Sequence, residues 1–192
     1  MKETLFIILL IITFYIVFIL HDSSLVKFEQ GGILLYVRDS NDMNDSSKVL
    51  LELINKMYKL REIVIINIDN YPDYRIYIQL LEKNFNKNRT KIYETSLNSD
   101  YTSYSVNKGE ELVFCLRCKK THALHHINLL MYVAVHEMAH TACPETGHTP
   151  LFNDIFKFLL KIAVANNLYI YNDYSRYPIE YCGMRLYTNI LN

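Results

Sequence analysis

Three histidines and a glutamate fall within residues 133–152, VAVHEMAHTACPETGHTPLF: His136, Glu137, His140 and His148. On a helix, residues four apart stand one turn above each other on the same face. His136 and His140 therefore present two imidazoles to one metal ion, the pairing that tetrahedral Zn2+ accepts. Glu137, beside the first ligand, can reach a water on that metal without being a ligand itself. Zinc lowers the pKa of such a water toward about 7, and a neighbouring carboxylate takes its proton as it attacks a polarised carbonyl. The same carboxylate then delivers the proton to the leaving amine.

A catalytic zinc takes three protein ligands and leaves a fourth position open. His148 is the expected third ligand, with Pro144 and Gly147 supplying the reversal that returns the chain to the metal. Glu145 is the competing candidate, since a carboxylate also completes such sites, but it sits close behind the helix end. The pattern His-Glu-x-x-His is short and recurs in helices that bind nothing. Here its surroundings favour a metal: LLMYVAV before it is apolar enough to bury the helix, and Ala139 leaves room beside the ligands.

The elements that must carry these residues are readable in outline. Asn128 is placed to cap a helix over 129–141. Thr149 followed by Pro150 is a cap with proline at the first helical position, opening a helix to Ala165 that buries Phe152, Ile155, Phe156, Leu159, Leu160 and Ala163. Before the motif, YTSYSV (101–106) and ELVFCLR (111–117) alternate as strands. They flank NKGE, where Asn107 and Gly109 tolerate the positive φ of a tight turn. Further upstream, GGILLYV (31–37) and EIVIINI (62–68) read as strands. Residues 47–60 and 73–85 read as amphipathic helices. The tail after Ala165 is rich in tyrosine and reads as loop.

Of the 192 residues 51% are hydrophobic, enough for one compact unit with a core. Twenty basic residues balance twenty acidic ones, so the positive footprint of a nucleic-acid binder is missing. The run LFIILLIITFYIVFIL (5–20) is uninterrupted and apolar, and sixteen helical residues would span roughly 24 Å. That length, extended by Lys2 and Thr4, predicts a transmembrane anchor over residues 1–22, since no small-x-small cleavage site follows. The charges flanking the run lean toward a single-pass protein with its domain, residues 23–192, on the non-cytosolic side. Within that domain, residues 23–100 read as packing scaffold and 101–192 as the metal-site half. Cys115, Cys118, Cys143 and Cys182 allow two disulfides or four thiols. Cys115-x-x-Cys118 reads as one core and one loop thiol rather than a zinc knuckle with His122, because strand geometry points the pair to opposite faces. His122, His125 and His126 read as solvated loop.

The motif and its surroundings resemble zincin metallopeptidases of the WLM and SprT-like group, and especially small membrane-anchored proteins of large DNA viruses. The likeness runs through TSYSVNKGEELVFCLR, NLLMYVAVHEMAH, GHTPLFNDIFKFLL and DYSRYPIEYCGM, about residues 101–184. It implies an α+β zincin-like fold, with the active-site helix packed on a small mixed sheet. It further implies His136, His140 and His148 as Zn2+ ligands, Glu137 as general base, and a virion or host membrane as the setting. The spacing to His148 departs from cellular members, so their substrates do not carry over, and their DNA-binding tails have no counterpart here. The resemblance also implies that an extended peptide pairs with the edge strand before the active helix, which would be ELVFCLR. A tyrosine or arginine of the tail would stabilise the oxyanion, and Tyr181 is the choice. The expectation is a membrane-anchored zinc metallopeptidase acting on a peptide or protein. The alternative is a non-catalytic membrane or virion protein in which zinc organises the fold.

Overall fold

The computed structural model describes residues 6–13, 25–30, 32–96 and 99–192. The fold is α+β. A five-stranded mixed sheet is formed by β1 (Leu25–Gln30), β2 (Ile33–Arg38), β3 (Lys91–Glu94), β4 (Tyr104–Val106) and β5 (Glu111–Phe114), in the order β1-β2-β3-β5-β4. β1 and β2 form an antiparallel hairpin, with Gly32 at φ +72° in its turn. β2 buries Ile33, Leu35 and Val37 on alternate positions. β3 runs parallel to both neighbours, with Leu35 opposite Ile92 and Ile92 opposite Leu112.

A parallel neighbour requires a crossover. It consists of α1 (Met43–Ile66), two short 3-10 turns and α2 (Arg75–Asn84). Of residues 62–68, expected as a strand, 62–66 instead extend α1, Asn67 caps it and Ile68 opens the first 3-10 turn. β-Branched residues are tolerated there because Val64 continues the buried stripe of Met57 and Leu60, and packing outweighs a propensity of a few tenths of a kcal/mol.

After the sheet come α3 (Ile127–Ala142) and α4 (Pro150–Ala165). α3 is apolar around nearly its whole circumference because it is surrounded: α1, α2 and α4 pack on it, as do β4 and β5. Its cap is His126, whose ring accepts the Asn128 N–H at 3.2 Å, rather than Asn128. Asn128 instead pairs through its side chain with both backbone groups of Ile170. α4 begins as its sequence indicates, with Thr149 Oγ1 accepting the Phe152 N–H at 3.2 Å. The tail is not loop throughout. β6 (Ile179–Tyr181) and β7 (Met184–Leu186) form an antiparallel hairpin turned by Cys182 and Gly183, both at positive φ.

Two devices tie the ends of this framework together. Glu94, fully buried at the end of β3, accepts from Arg38 N–H at 2.9 Å and from Arg117 Nε at 2.8 Å, joining the ends of β2, β3 and β5. Arg117 also pairs with Asp42, and this bond, with a second from Ser40, holds the Asp42 carboxyl down at about 2. A disulfide between Cys115 and Cys182 fastens the β6–β7 hairpin to the end of β5, while Cys118 and Cys143 are free thiols.

The transmembrane anchor expected over residues 1–22, and the single-pass localisation built on it, are corrected. Residues 1–5 and 14–24 lie outside the described residues, and 6–13 are helical. No helix among the described residues is long and apolar enough to cross a membrane. Eight helical residues reach about 12 Å, against about 30 Å of hydrocarbon.

Candidate metal centre

The site is assembled at the C-terminal end of α3 and the start of α4. His136 and His140 stand one turn apart on α3, their ring centroids 4.9 Å apart. The helix stops at Ala142 because Cys143 turns extended, at φ −80° and ψ 128°. Gly147, at φ +82°, completes the reversal, and His148 arrives immediately before the Thr149 cap. Its Nε2 lies 3.0 Å from His136 Nε2 and 3.2 Å from His140 Nε2.

The three imidazoles form a group whose ligand atoms all lie within 4.8 Å of one another. Glu145, the competing ligand candidate, is not in it. Around a tetrahedral zinc with Zn–N of about 2.0–2.1 Å, neighbouring ligand atoms stand about 3.3 Å apart. The observed spacings are close to that value. His148 Nε2 offers either one proton or one lone pair, so it completes a hydrogen bond with only one of its two neighbours. A cation among the three nitrogens would use every lone pair, so the donor set fits a divalent metal.

Burial favours the neutral imidazole, with its lone pair free, at His136 and His140. Burial, reinforced by the charges of His140 and His148, lowers His136 to about 3. Burial together with His148 and Lys108 lowers His140 to about 4. Glu137 projects from the same helix and is only 3% exposed, and its Oε2 has no hydrogen-bond partner. Burial pushes its carboxyl up to about 8. An orphaned carboxylate oxygen in the wall of a cavity is a costly feature that a structural role does not require.

Behind the imidazoles stands Phe152, a residue whose part in the site sequence reasoning missed. It stacks on His140 at 4.1 Å and meets His136 and His148 edge-on at 4.9 Å each. Its position, four residues after His148 in the first turn of a capped helix, was the available signal.

In front of the histidines lies an open cavity of about 670 Å3, lined by Glu137, Ser103, Tyr104, Tyr181, Met184 and Leu186 among others. β4, not the expected ELVFCLR strand, is the edge: β5 is covered by β3 and β4, and among the described residues β4 pairs with β5 alone. Tyr181 is buried, with its hydroxyl 2.5 Å from Ser103 Oγ, which in turn accepts the Cys115 N–H at 3.1 Å. Burial raises the Tyr181 phenol, and the charge of Glu137 raises it further, so the hydroxyl stays protonated. The loop histidines are elsewhere: His126 caps α3, and His125 packs against Tyr181 with Nε2 3.6 Å from Cys182 Sγ.

No family model matches the sequence. The uncharacterized protein R325 of Acanthamoeba polyphaga mimivirus is 36% identical over 170 residues, covering 88% of this chain and 85% of that protein. The chain belongs to the family of R325. The uncharacterized protein 136R of Invertebrate iridescent virus 6 is 34% identical over 97 residues, half of this chain and 53% of its own length. These relatives are viral proteins, in keeping with the resemblance read in the sequence. Among solved structures, a crystal structure of a Wss1 mutant from Saccharomyces cerevisiae is similar at a TM-score of 0.48 and 16% identity, over 69% of this chain and 92% of that one.

Proposed function

We propose that this member of the R325 family is a zinc-dependent metallopeptidase, with His136, His140 and His148 as the ligands and Glu137 as the general base. The observation that carries the reading is the convergence of three imidazole nitrogens beside a buried carboxylate oxygen that has no protein partner, at the wall of an open cavity. Bound at this site, Zn2+ supplies Lewis-acid polarisation of a carbonyl and a lowered water pKa.

The chain's own residues account for the rest. Glu137 accepts the proton of the attacking water and passes it to the leaving amine. Burial alone raises its carboxyl to about 8, and a cation held by the three imidazoles beside it would draw the group back toward the ionised form that a base requires. With Ser103 Oγ donating to Tyr181, the Tyr181 O–H is free to donate into the cavity, where it stabilises the oxyanion. The free edge of β4 accepts an extended peptide in antiparallel register. A peptide or protein substrate fits this geometry, and the balanced charge of the chain disfavours nucleic acid.

Glu137→Gln tests the reading. The variant should bind one zinc as the parent does, yet lose peptide hydrolysis by about 10²–10⁴-fold on a quenched fluorescent peptide mixture. His148→Ala should lose zinc. Hydrolysis unchanged in Glu137→Gln would overturn Glu137 as the base, whereas a parent that binds zinc yet hydrolyses no peptide would point to the alternative in which zinc organises the fold without turnover.

A further inference from the structure

The turn between β4 and β5 is held in an unusual shape. Asn107, Lys108 and Gly109 all have positive φ, at +47°, +56° and +94°. Single left-handed residues are ordinary in turns, but three in succession, two of them not glycine, persist only where surrounding contacts enforce them. Those contacts are present. Arg89 donates to the carbonyls of Asn107 and Lys108 at 2.7 and 3.0 Å, and Thr90 Oγ1 donates to that of Gly109 at 2.8 Å. On the opposite side the turn lies directly on the last turn of α3: a Cβ on Gly109 would come within 2.7 Å of Thr141 Cγ2.

This shape aims Lys108 across the end of α3. Its Nζ donates to the carbonyls of Cys143 at 2.7 Å and Glu145 at 2.5 Å. Both carbonyls belong to the segment that leaves the helix and delivers His148 three residues later. Carbonyls beyond a helix C-terminus have no intrahelical partner, and a cation placed there both satisfies them and complements the helix dipole. Phe152 and the Thr149 cap hold the far end of the same segment.

We propose that Lys108 is a positioning residue for the metal centre, clamping the Cys143–Glu145 segment so that His148 is presented to His136 and His140 before metal arrives. The proposal rests on the metallopeptidase reading for its purpose, but the clamp itself is measurable without metal. A lysine 28 residues before the first histidine thereby sets how well the third ligand is preorganised. Loss of such a supporting contact costs metal affinity by about 10–100-fold.

Two measurements on the full chain test it, using Lys108→Met, which keeps the alkyl stem and removes the donors, and Lys108→Arg, which keeps donors for both carbonyls. In chelator-stripped protein, a protease specific for glutamyl bonds should cut after Glu145 at least tenfold faster in Lys108→Met than in the parent. Cutting at other glutamates should be unchanged, and Lys108→Arg should restore the slow rate. In zinc titrations against a competing chelator, Lys108→Met should bind at least tenfold more weakly, with recovery in Lys108→Arg. Lys108→Ala provides the same comparison should the methionine variant not fold. Parent-like cleavage after Glu145 together with parent-like zinc affinity in Lys108→Met would overturn the clamp. Faster cleavage after Glu145 in a protein whose parent takes up no zinc would support the clamp and overturn the metal reading instead.

Discussion

Replacing Cys115 and Cys182 together by alanine, or reducing the bond between them, opens a loop closed across a sequence separation of 67 residues. In the chain-entropy account the cross-link removes about 2.1 + 1.5R ln n of entropy from the unfolded chain, which for this loop is worth about 4 kcal/mol at 25 °C. The folded state keeps most of its contacts: both sulfurs lie in the core, and Tyr181 remains bonded to Ser103. The loss should therefore appear as easier global unfolding. With a urea dependence of about 2 kcal/mol per molar, the midpoint should fall by about 2 M. Urea titrations followed by circular dichroism, with and without reductant, measure it. Parent protein in reductant should match the Cys115→Ala/Cys182→Ala variant, and reductant should have no further effect on that variant. Cys118→Ala should behave as the parent does. A difference below about 1 kcal/mol between oxidised and reduced parent would refute the reasoning, as would an equal effect of reductant on the double variant. The consequence reaches the candidate site, because Cys182 adjoins Tyr181 in the turn of the hairpin that forms one wall of the cavity.

Burial holds Glu137 at about 8 against 4.5 for a free side chain, so between those values the folded metal-free protein keeps a proton that the unfolded chain has released. Its stability should fall as pH rises, by up to about 1.4 kcal/mol per pH unit. The lowered His136 and His140 act in the opposite sense, and only below 6.5. Between pH 6.5 and 8 the decline should thus be flatter in Glu137→Gln than in the parent, and matching curves for the two chelated proteins would contradict it. Gly109→Ala would force a Cβ to within 2.7 Å of Thr141 Cγ2 at a φ of +94°. A loss of about 2–3 kcal/mol is expected in thermal unfolding, partly recovered by Thr141→Ser, and a loss below about 0.5 kcal/mol would speak against the close approach.

Much of what was legible in the sequence is local. The four-residue spacing of His136 and His140 has meaning only on a helix, and the apolar run before it makes that helix. Thr149-Pro150 marks the start of α4 because the cap and the proline act within one turn. NKGE signals the β4–β5 turn because glycine and asparagine tolerate its dihedrals. Each of these follows from steric and hydrogen-bonding preferences that reach no further than a few residues.

Residues 62–68 show where such reasoning stops. Their β-branched composition suits a strand, yet 62–66 are the last residues of α1 because Val64 completes a stripe against the core. The short strand β3 carries little periodicity in four residues and exists because β2 and β5 flank it. The anchor expected over residues 1–22 rests on apolarity and length alone, and no helix among the described residues is long and apolar enough to cross a membrane.

By itself, then, the sequence determined a helix carrying His136, Glu137 and His140, a chain reversal leading to His148, and a capped helix after it. Only the tertiary structure decided that the three Nε2 atoms meet, that Phe152 backs them, that Cys115 pairs with Cys182, and that Lys108 reaches the carbonyls of Cys143 and Glu145. Those relations join residues that are distant in sequence, and they arise from how the elements pack, a balance of core burial and buried polar pairing that no short stretch of the chain contains.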